Sequence, residues 1–117
     1  MADVIIYHNP RCSKSRQTLE ILNQNQIQTD IVEYLDSPPS AEELKQILSA
    51  LDLKPVNIMR KNEAEYKEAG LDNASLSEEE QINLMVKFPK VIERPIVVKG
   101  DKAVIGRPPE NVLDLIK

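Results

Sequence analysis

The segment VIIYHNPRCSKSRQTLEIL, residues 4–22, joins a short apolar run to an amphipathic helical pattern through a turn that contains a proline. Residues 4–7 predict a buried strand, and residues from Ser13 to about Gln24 predict a helix. Cys12, the only cysteine of the chain, lies where the strand passes into the helix. The first N–H groups of a helix lack intrahelical partners and carry the positive end of its dipole, so they favour a thiolate. This segment therefore predicts a strand–helix unit with Cys12 as a candidate nucleophile.

The remaining chain alternates strands and helices. Two helices begin with a serine followed three residues later by glutamate, which is typical of a capping box. The predicted elements are a strand at 31–34, a helix from Ser40, short helical pieces after Pro55 and from about 62 to Gly70, a helix from Ser77 to Pro89, strands at 96–99 and 102–106, and a last helix from about Pro109.

The order of these elements is β-α-β, a helical segment, then β-β-α. This is the order of the thioredoxin fold with helices inserted between the two halves. We therefore expect one α/β thioredoxin-like domain over residues 1–117, with a mixed sheet covered by helices on both faces.

The last two predicted strands form a hairpin. A two-residue turn at Gly100-Asp101 makes facing residue numbers sum to 201, which pairs Arg94 with Arg107. Like charges directly opposite on a sheet are destabilising, so either the two side chains splay into solvent or an anion lies between them. The same register pairs Lys99 with Lys102, where a solvated turn is explanation enough.

Three arginines, Arg60, Arg94 and Arg107, lie at the ends of predicted elements, whereas most lysines fall on helix surfaces. The planar guanidinium suits bidentate binding of an oxyanion. Each arginine taken singly also fits a surface or salt-bridging role.

Composition excludes several function classes. The 117 residues carry a net charge of −4, no tryptophan and four other aromatic residues, which gives no electrostatic or stacking basis for binding nucleic acid. The N-terminal apolar stretch is too short for a signal peptide or a membrane span, so we expect a cytoplasmic protein. One histidine and one cysteine provide no usual metal-ligand set, and we expect no metal.

Two polar residues flank the candidate nucleophile. His8, as an imidazolium, would depress the thiol pKa or relay a proton. The Ser15 hydroxyl either donates to a thiolate or satisfies the backbone of the first helical turn. Alternatively, Cys12 has no catalytic role and is buried as a small apolar side chain.

The residues that follow Cys12 do not have the spacing required by two other kinds of thiol chemistry. Cys12 is followed by Ser13-Lys14-Ser15 and not by a second cysteine two residues on, so dithiol cycling within the chain is excluded. A phosphatase-like loop needs arginine six positions after the cysteine, where Thr18 stands. Any resolving thiol must come from another molecule.

Four blocks of sequence together resemble the glutaredoxin-linked arsenate reductases of the ArsC family, in a short form. They occur in family order along nearly the whole chain, and they are residues 7–16 (YHNPRCSKSR), the 53–62 region with MRKN, residues 94–98 (RPIVV) and residues 106–108 (GRP).

The resemblance implies that the Cys12 thiolate attacks arsenate while Arg60, Arg94 and Arg107 hold the oxyanion. It implies that His8 and Ser15 tune Cys12. Glutathione as co-substrate would then add to the arsenic, and glutaredoxin would resolve the adduct so that arsenite leaves, as in arsenic detoxification. No bound cofactor is expected.

Two departures and two alternatives accompany this resemblance. Arg11 and Lys14 stand where the best-known members carry small or neutral residues. The added charges would further depress the thiol pKa or suit a different anion. The alternatives are a general monothiol oxidoreductase acting on glutathione adducts and a thiol-stress regulator that binds RNA polymerase, although such regulators typically carry Cys-x-x-Cys.

Overall fold

The computed structural model describes residues 2–116, which form two compact units. One unit contains the chain up to Ser37 and again from Arg94 onward, and the other is the continuous segment Pro38–Glu93. The first holds every strand, and the second holds the helices that separate the two halves. The helical insertion between a β-α-β half and a β-β-α half is therefore confirmed. That residues 1–117 fold as one domain stays a prediction.

The first unit is built on a four-stranded mixed sheet in the order β2-β1-β3-β4. The strands are β1 (Val4–His8), β2 (Thr29–Glu33), β3 (Ile96–Lys99) and β4 (Lys102–Ile105), with helix α1 (Ser13–Gln24) after β1 and α5 (Val112–Ile116) at the end. β1 pairs with β2 in parallel and with β3 antiparallel, and β3 pairs with β4 antiparallel. The predicted α/β class with a mixed, thioredoxin-like sheet is confirmed.

One face of this sheet carries the core of the first unit. Val4, Ile6 and Val97 from the strands pack with Leu22 of α1 and with the α5 side chains Val112 and Leu115. Each such side chain contributes about 1.5–3 kcal/mol by leaving water. This packing holds α1 and α5 against one face of the sheet.

The second strand differs from its prediction at 31–34. β2 begins at Thr29, because each residue from Thr29 to Glu33 pairs in parallel with β1, and Tyr34 lies beyond it. β2 is an edge strand with Asp30 and Ile31 exposed. Its start therefore lacks the apolar pattern from which a buried strand is recognised.

The hairpin register is confirmed. Ile96 faces Ile105 and Lys99 faces Lys102, as the sum of 201 requires. β4 ends one residue before the predicted Gly106, although the Gly106 N–H still donates to the Pro95 carbonyl at 2.9 Å. This hydrogen bond extends the pairing of the two chain segments beyond β3 and β4, toward Arg94 and Arg107.

The second unit contains α2 (Ala41–Leu51), α3 (Ala64–Glu68) and α4 (Glu78–Lys87), with a 3₁₀ turn at Pro55–Ile58. Both predicted capping boxes are present, Ser40 with Glu43 and Ser77 with Glu80. The piece predicted from about residue 62 to Gly70 is only the short helix α3. No helix among residues 2–116 has the length and apolar character needed to cross a membrane.

Candidate active site

A tight turn delivers Cys12 to the start of α1. The Cys12 N–H donates to the Asn9 carbonyl at 3.0 Å, and the Arg11 N–H donates to Asn9 Oδ1 at 3.0 Å. Asn9 therefore closes the turn with both its backbone and its side chain, as asparagine does in Asx turns. Cys12 occupies the N-cap position of α1 with extended backbone angles. The predicted strand–turn–helix location of the thiol is confirmed.

The surroundings of Cys12 favour its thiolate. Burial opposes ionisation and is the largest single effect, but the backbone N–H groups of Ser15 and Lys14 and the guanidinium of Arg94 together outweigh it and lower the pKa of the Cys12 thiol. This is the effect expected of a helix start beside an arginine. A larger fraction of this thiol is therefore ionised at neutral pH than in an ordinary cysteine.

The two hairpin arginines lie at this thiol. Arg107 Nη2 is 3.4 Å from Cys12 Sγ, and Arg107 Nε donates to the Arg94 carbonyl at 2.7 Å. Both arginines are only partly buried. One guanidinium is thus fixed against the sulfur while that of Arg94 lowers the thiol pKa. This arrangement collects positive charge where an attacking thiolate and an oxyanion would meet.

His8 and Ser15 form a buried pair behind the thiol. His8 Nδ1 lies 2.6 Å from Ser15 Oγ, and Ser15 Oγ also accepts the Asn9 N–H at 3.1 Å. Burial lowers the pKa of His8 and so disfavours the imidazolium form; the charge of Glu33 opposes this effect and that of Arg16 adds to it. The Ser15 side chain therefore holds the first helical turn, and the Ser15 backbone N–H acts on Cys12.

Two further residues, Asn111 and Thr18, hold the arginine end of the hairpin, and neither role was predicted from the sequence. Asn111 Nδ2 donates to the carbonyls of Ile105 and Arg107 at 3.2 and 3.1 Å. Thr18, fully buried, donates from Oγ1 to the Lys14 carbonyl at 2.8 Å and faces the Gly106 carbonyl.

Gly106 is needed for close approach. A Cβ at this position would overlap Thr18 Oγ1 and lie 2.8 Å from Pro95 Cγ. The glycine directly before Arg107 was a signal for such contact between a strand end and a helix. It lets α1 and the hairpin meet beside the active-site arginine.

Arg60 belongs to the second unit. Its Nη1 pairs with Glu93 Oε1 at 2.9 Å and its Nε with Glu63 Oε1 at 3.5 Å. The structure thus brings Cys12, Arg94 and Arg107 together in the first unit. The assignment of Arg60 as an oxyanion ligand stays a prediction from the resemblance.

A cleft lies beside the turn that carries Cys12. Its volume is about 280 Å³, and it is lined by His8, Asn9, Pro10, Arg11, Glu33, Leu35 and Asp36. Among residues 2–116 there is no group of three or more His, Cys, Asp or Glu side chains able to hold a metal ion.

Cys12 thus lies at a helix start with a lowered thiol pKa, and Arg94 and Arg107 lie beside it. Comparison with known proteins identifies the family to which this α/β fold belongs. The model of the ArsC family matches residues 7–115, so the chain belongs to the ArsC family.

Individual relatives are similar over nearly their full length. The uncharacterized protein YfgD of Escherichia coli K12 is 50% identical over 114 residues, covering 97% of this chain and 96% of the relative. The arsenate reductase of Haemophilus influenzae is 47% identical over 97% of this chain and 98% of its own. The solved arsenate reductase from Vibrio cholerae superposes with a TM-score of 0.91 at 46% identity, covering 97% of each chain.

Proposed function

We propose that this protein is an arsenate reductase in which Cys12 is the nucleophile. The observation that carries the proposal is the contact of Arg107 Nη2 with Cys12 Sγ at 3.4 Å, together with the lowered pKa of that thiol. The family membership and the relatives named arsenate reductase support the choice of arsenate among tetrahedral oxyanions. Arg94 and Arg107 hold the anion, and the resemblance to the ArsC family implies that Arg60 also binds it.

The first step is attack of the Cys12 thiolate on arsenic(V). A sulfur–arsenic bond forms, and one arsenate oxygen leaves as water after protonation. The guanidinium groups of Arg94 and Arg107 counter the negative charge on the remaining oxygens. His8 and Ser15 tune Cys12, as the resemblance implies, and their contact at 2.6 Å supports a role in keeping the Ser15 N–H directed at the sulfur.

Completion of the reduction needs two external thiols, since the chain has one cysteine. Glutathione displaces a second oxygen as water and forms its own sulfur–arsenic bond. A glutaredoxin thiolate then attacks the glutathione sulfur, and the electron pair of that sulfur–arsenic bond stays on arsenic. Arsenic(V) becomes arsenic(III), the two external thiols become one mixed disulfide, and water releases arsenite from Cys12.

The test compares arsenite formation by the wild-type protein and by Cys12→Ser with arsenate, glutathione and glutaredoxin present. The wild type should produce arsenite and Cys12→Ser should not. Arg107→Ala should raise the KM for arsenate, whereas Lys102→Ala, an exposed cation in the same hairpin, should leave it unchanged. Arsenite formation by Cys12→Ser at the wild-type rate would refute the proposal. Removal of glutathione from protein adducts without any arsenite formation would favour the general monothiol oxidoreductase.

A further inference from the structure

The cleft beside the Cys12 turn lies at the carboxyl ends of two parallel strands. β1 ends at His8 and β2 ends at Glu33, and these two residues are register partners. Open α/β sheets bind ligands in crevices at this end of their strands. The location therefore suits a small ligand of the reaction that Cys12 performs.

The side chains that line the cleft include a cation, two carboxylates and an amide donor. Arg11 supplies an exposed cation, and Glu33 and Asp36 supply exposed carboxylates. Asn9 also lines the cleft; its Oδ1 accepts from the Arg11 N–H, and its Nδ2 is a further donor. The set matches a molecule that carries an ammonium group and a carboxylate.

Glu33 and Asp36 lie at the two ends of the tight turn that follows β2. The Asp36 N–H and the Ser37 N–H both donate to the Glu33 carbonyl, at 3.0 and 2.9 Å. An ammonium group between these two side chains gains two charged partners, which is stronger recognition than one surface carboxylate gives.

The distance from the cleft to the thiol suits a short peptide. Asn9 lines the cleft, and its carbonyl bonds to the Cys12 N–H across one tight turn. The ends of such a turn lie within about 7 Å of each other. An extended tripeptide spans roughly 10 Å, so its charged end fits the cleft while its thiol reaches an arsenic atom bound to the Cys12 sulfur.

We propose that this cleft binds the thiol co-substrate through the ammonium and carboxylate groups of its amino-acid end, as in glutathione. Glu33 and Asp36 hold the ammonium, and Arg11 with Asn9 holds the carboxylate. The assignment of the bound molecule as a reducing co-substrate rests on the proposed function. The exposed Arg11, a departure from the best-known family members, thereby gains a role that does not involve arsenate.

The binding test uses S-methylglutathione, whose methylated sulfur cannot act as a nucleophile, so binding is measured without reaction. Titration of the wild-type protein should shift the backbone NMR signals of residues 8–11 and 33–36. Asp36→Asn should weaken binding roughly tenfold, the effect of losing one charged hydrogen bond. Glu20→Gln makes the same charge change on the exposed side of α1 and should bind as the wild type does. Equal affinity of Asp36→Asn and the wild type, or shifts confined to other residues, would overturn the proposal.

A kinetic test separates this inference from the proposed function. In the arsenate assay, Asp36→Asn and Arg11→Gln should raise the KM for glutathione and leave the KM for arsenate unchanged. Arsenate reduction with an unaltered KM for glutathione in both variants would reject the cleft and keep the reductase. Binding of S-methylglutathione in the cleft without arsenate reduction would keep the cleft and reject the reductase.

Discussion

At the residue scale, the reactivity of Cys12 depends on a balance between burial and charge. Burial raises the pKa of the thiol, and the helix-start N–H groups with Arg94 lower it further than burial raises it. Arg94→Ala removes a hydrogen-bond donor and a positive charge, so the thiol pKa should rise. A pH titration of thiolate absorbance at 240 nm measures this shift, with the exposed hairpin variant Lys99→Ala as control. An unchanged pKa in Arg94→Ala would show that the helix start alone activates the thiol.

The lowered pKa of Cys12 also makes stability depend on pH. Between the lowered pKa of the folded protein and the ordinary thiol pKa, the unfolded chain binds more protons, so the free energy of unfolding rises with pH in that window. The contribution is complete above the ordinary pKa and is lost as pH falls through the lowered one. Cys12→Ser lacks this titration. Urea unfolding at several pH values should give a wild-type curve that rises more steeply than that of Cys12→Ser, and parallel curves would contradict the lowered pKa.

Asn111 is a positioning residue for Arg107. Its Nδ2 bonds to the Arg107 and Ile105 carbonyls, so Asn111→Ala frees the backbone that aims the guanidinium at Cys12 Sγ. We expect the KM for arsenate to rise about three- to tenfold, as for the loss of one or two net hydrogen bonds. Asn25→Ala removes a similar side-chain bond at the far end of α1 and should leave that KM unchanged. An equal KM for arsenate in Asn111→Ala and Asn25→Ala would show that Asn111 does not position Arg107.

At the element scale, the hairpin and α1 are joined through Gly106. Gly106→Ala places a methyl group against Thr18 and Pro95, and we expect a cost of about 1–3 kcal/mol in the free energy of unfolding. Because Thr18 is the nearer neighbour, the cost should shrink in a Thr18→Ala background. Urea denaturation of the four proteins measures both effects. Additive costs would show that Thr18 is not the obstacle.

The elements that sequence could predict are those with a local cause. The capping boxes of Ser40 and Ser77 satisfy helix-end N–H groups within four residues, so the sequence contains the whole interaction. The hairpin register follows from a two-residue turn for the same reason. The start of β2 could not be predicted, because Thr29 and Asp30 are in a strand only through pairing with β1, 25 residues away in the chain.

In the candidate site, too, features with a local cause could be predicted and contacts between distant residues could not. Cys12 at a helix start and the facing arginines follow from local pattern and register. The bonds from Asn111 and the Arg107 contact with Cys12 join residues that only the folded sheet brings together. Arg60 was expected beside them from resemblance alone, and its own ion pairs with Glu63 and Glu93 could not be inferred from spacing.

At the scale of the whole molecule, the four-stranded sheet and the helical insertion belong to the ArsC family over residues 7–115. In the proposed reaction, the single cysteine makes arsenate reduction depend on two external thiols. The requirement for glutathione and glutaredoxin is therefore the property that tests the proposal most directly.

The decisive measurement is arsenate-dependent oxidation of NADPH in a system coupled through glutathione, glutaredoxin and glutathione reductase. With the wild-type protein, NADPH oxidation should require arsenate, glutathione and glutaredoxin together, and with Cys12→Ser it should not exceed background. Absence of an arsenate-dependent signal with the wild-type protein, or an equal signal with Cys12→Ser, would contradict the proposal.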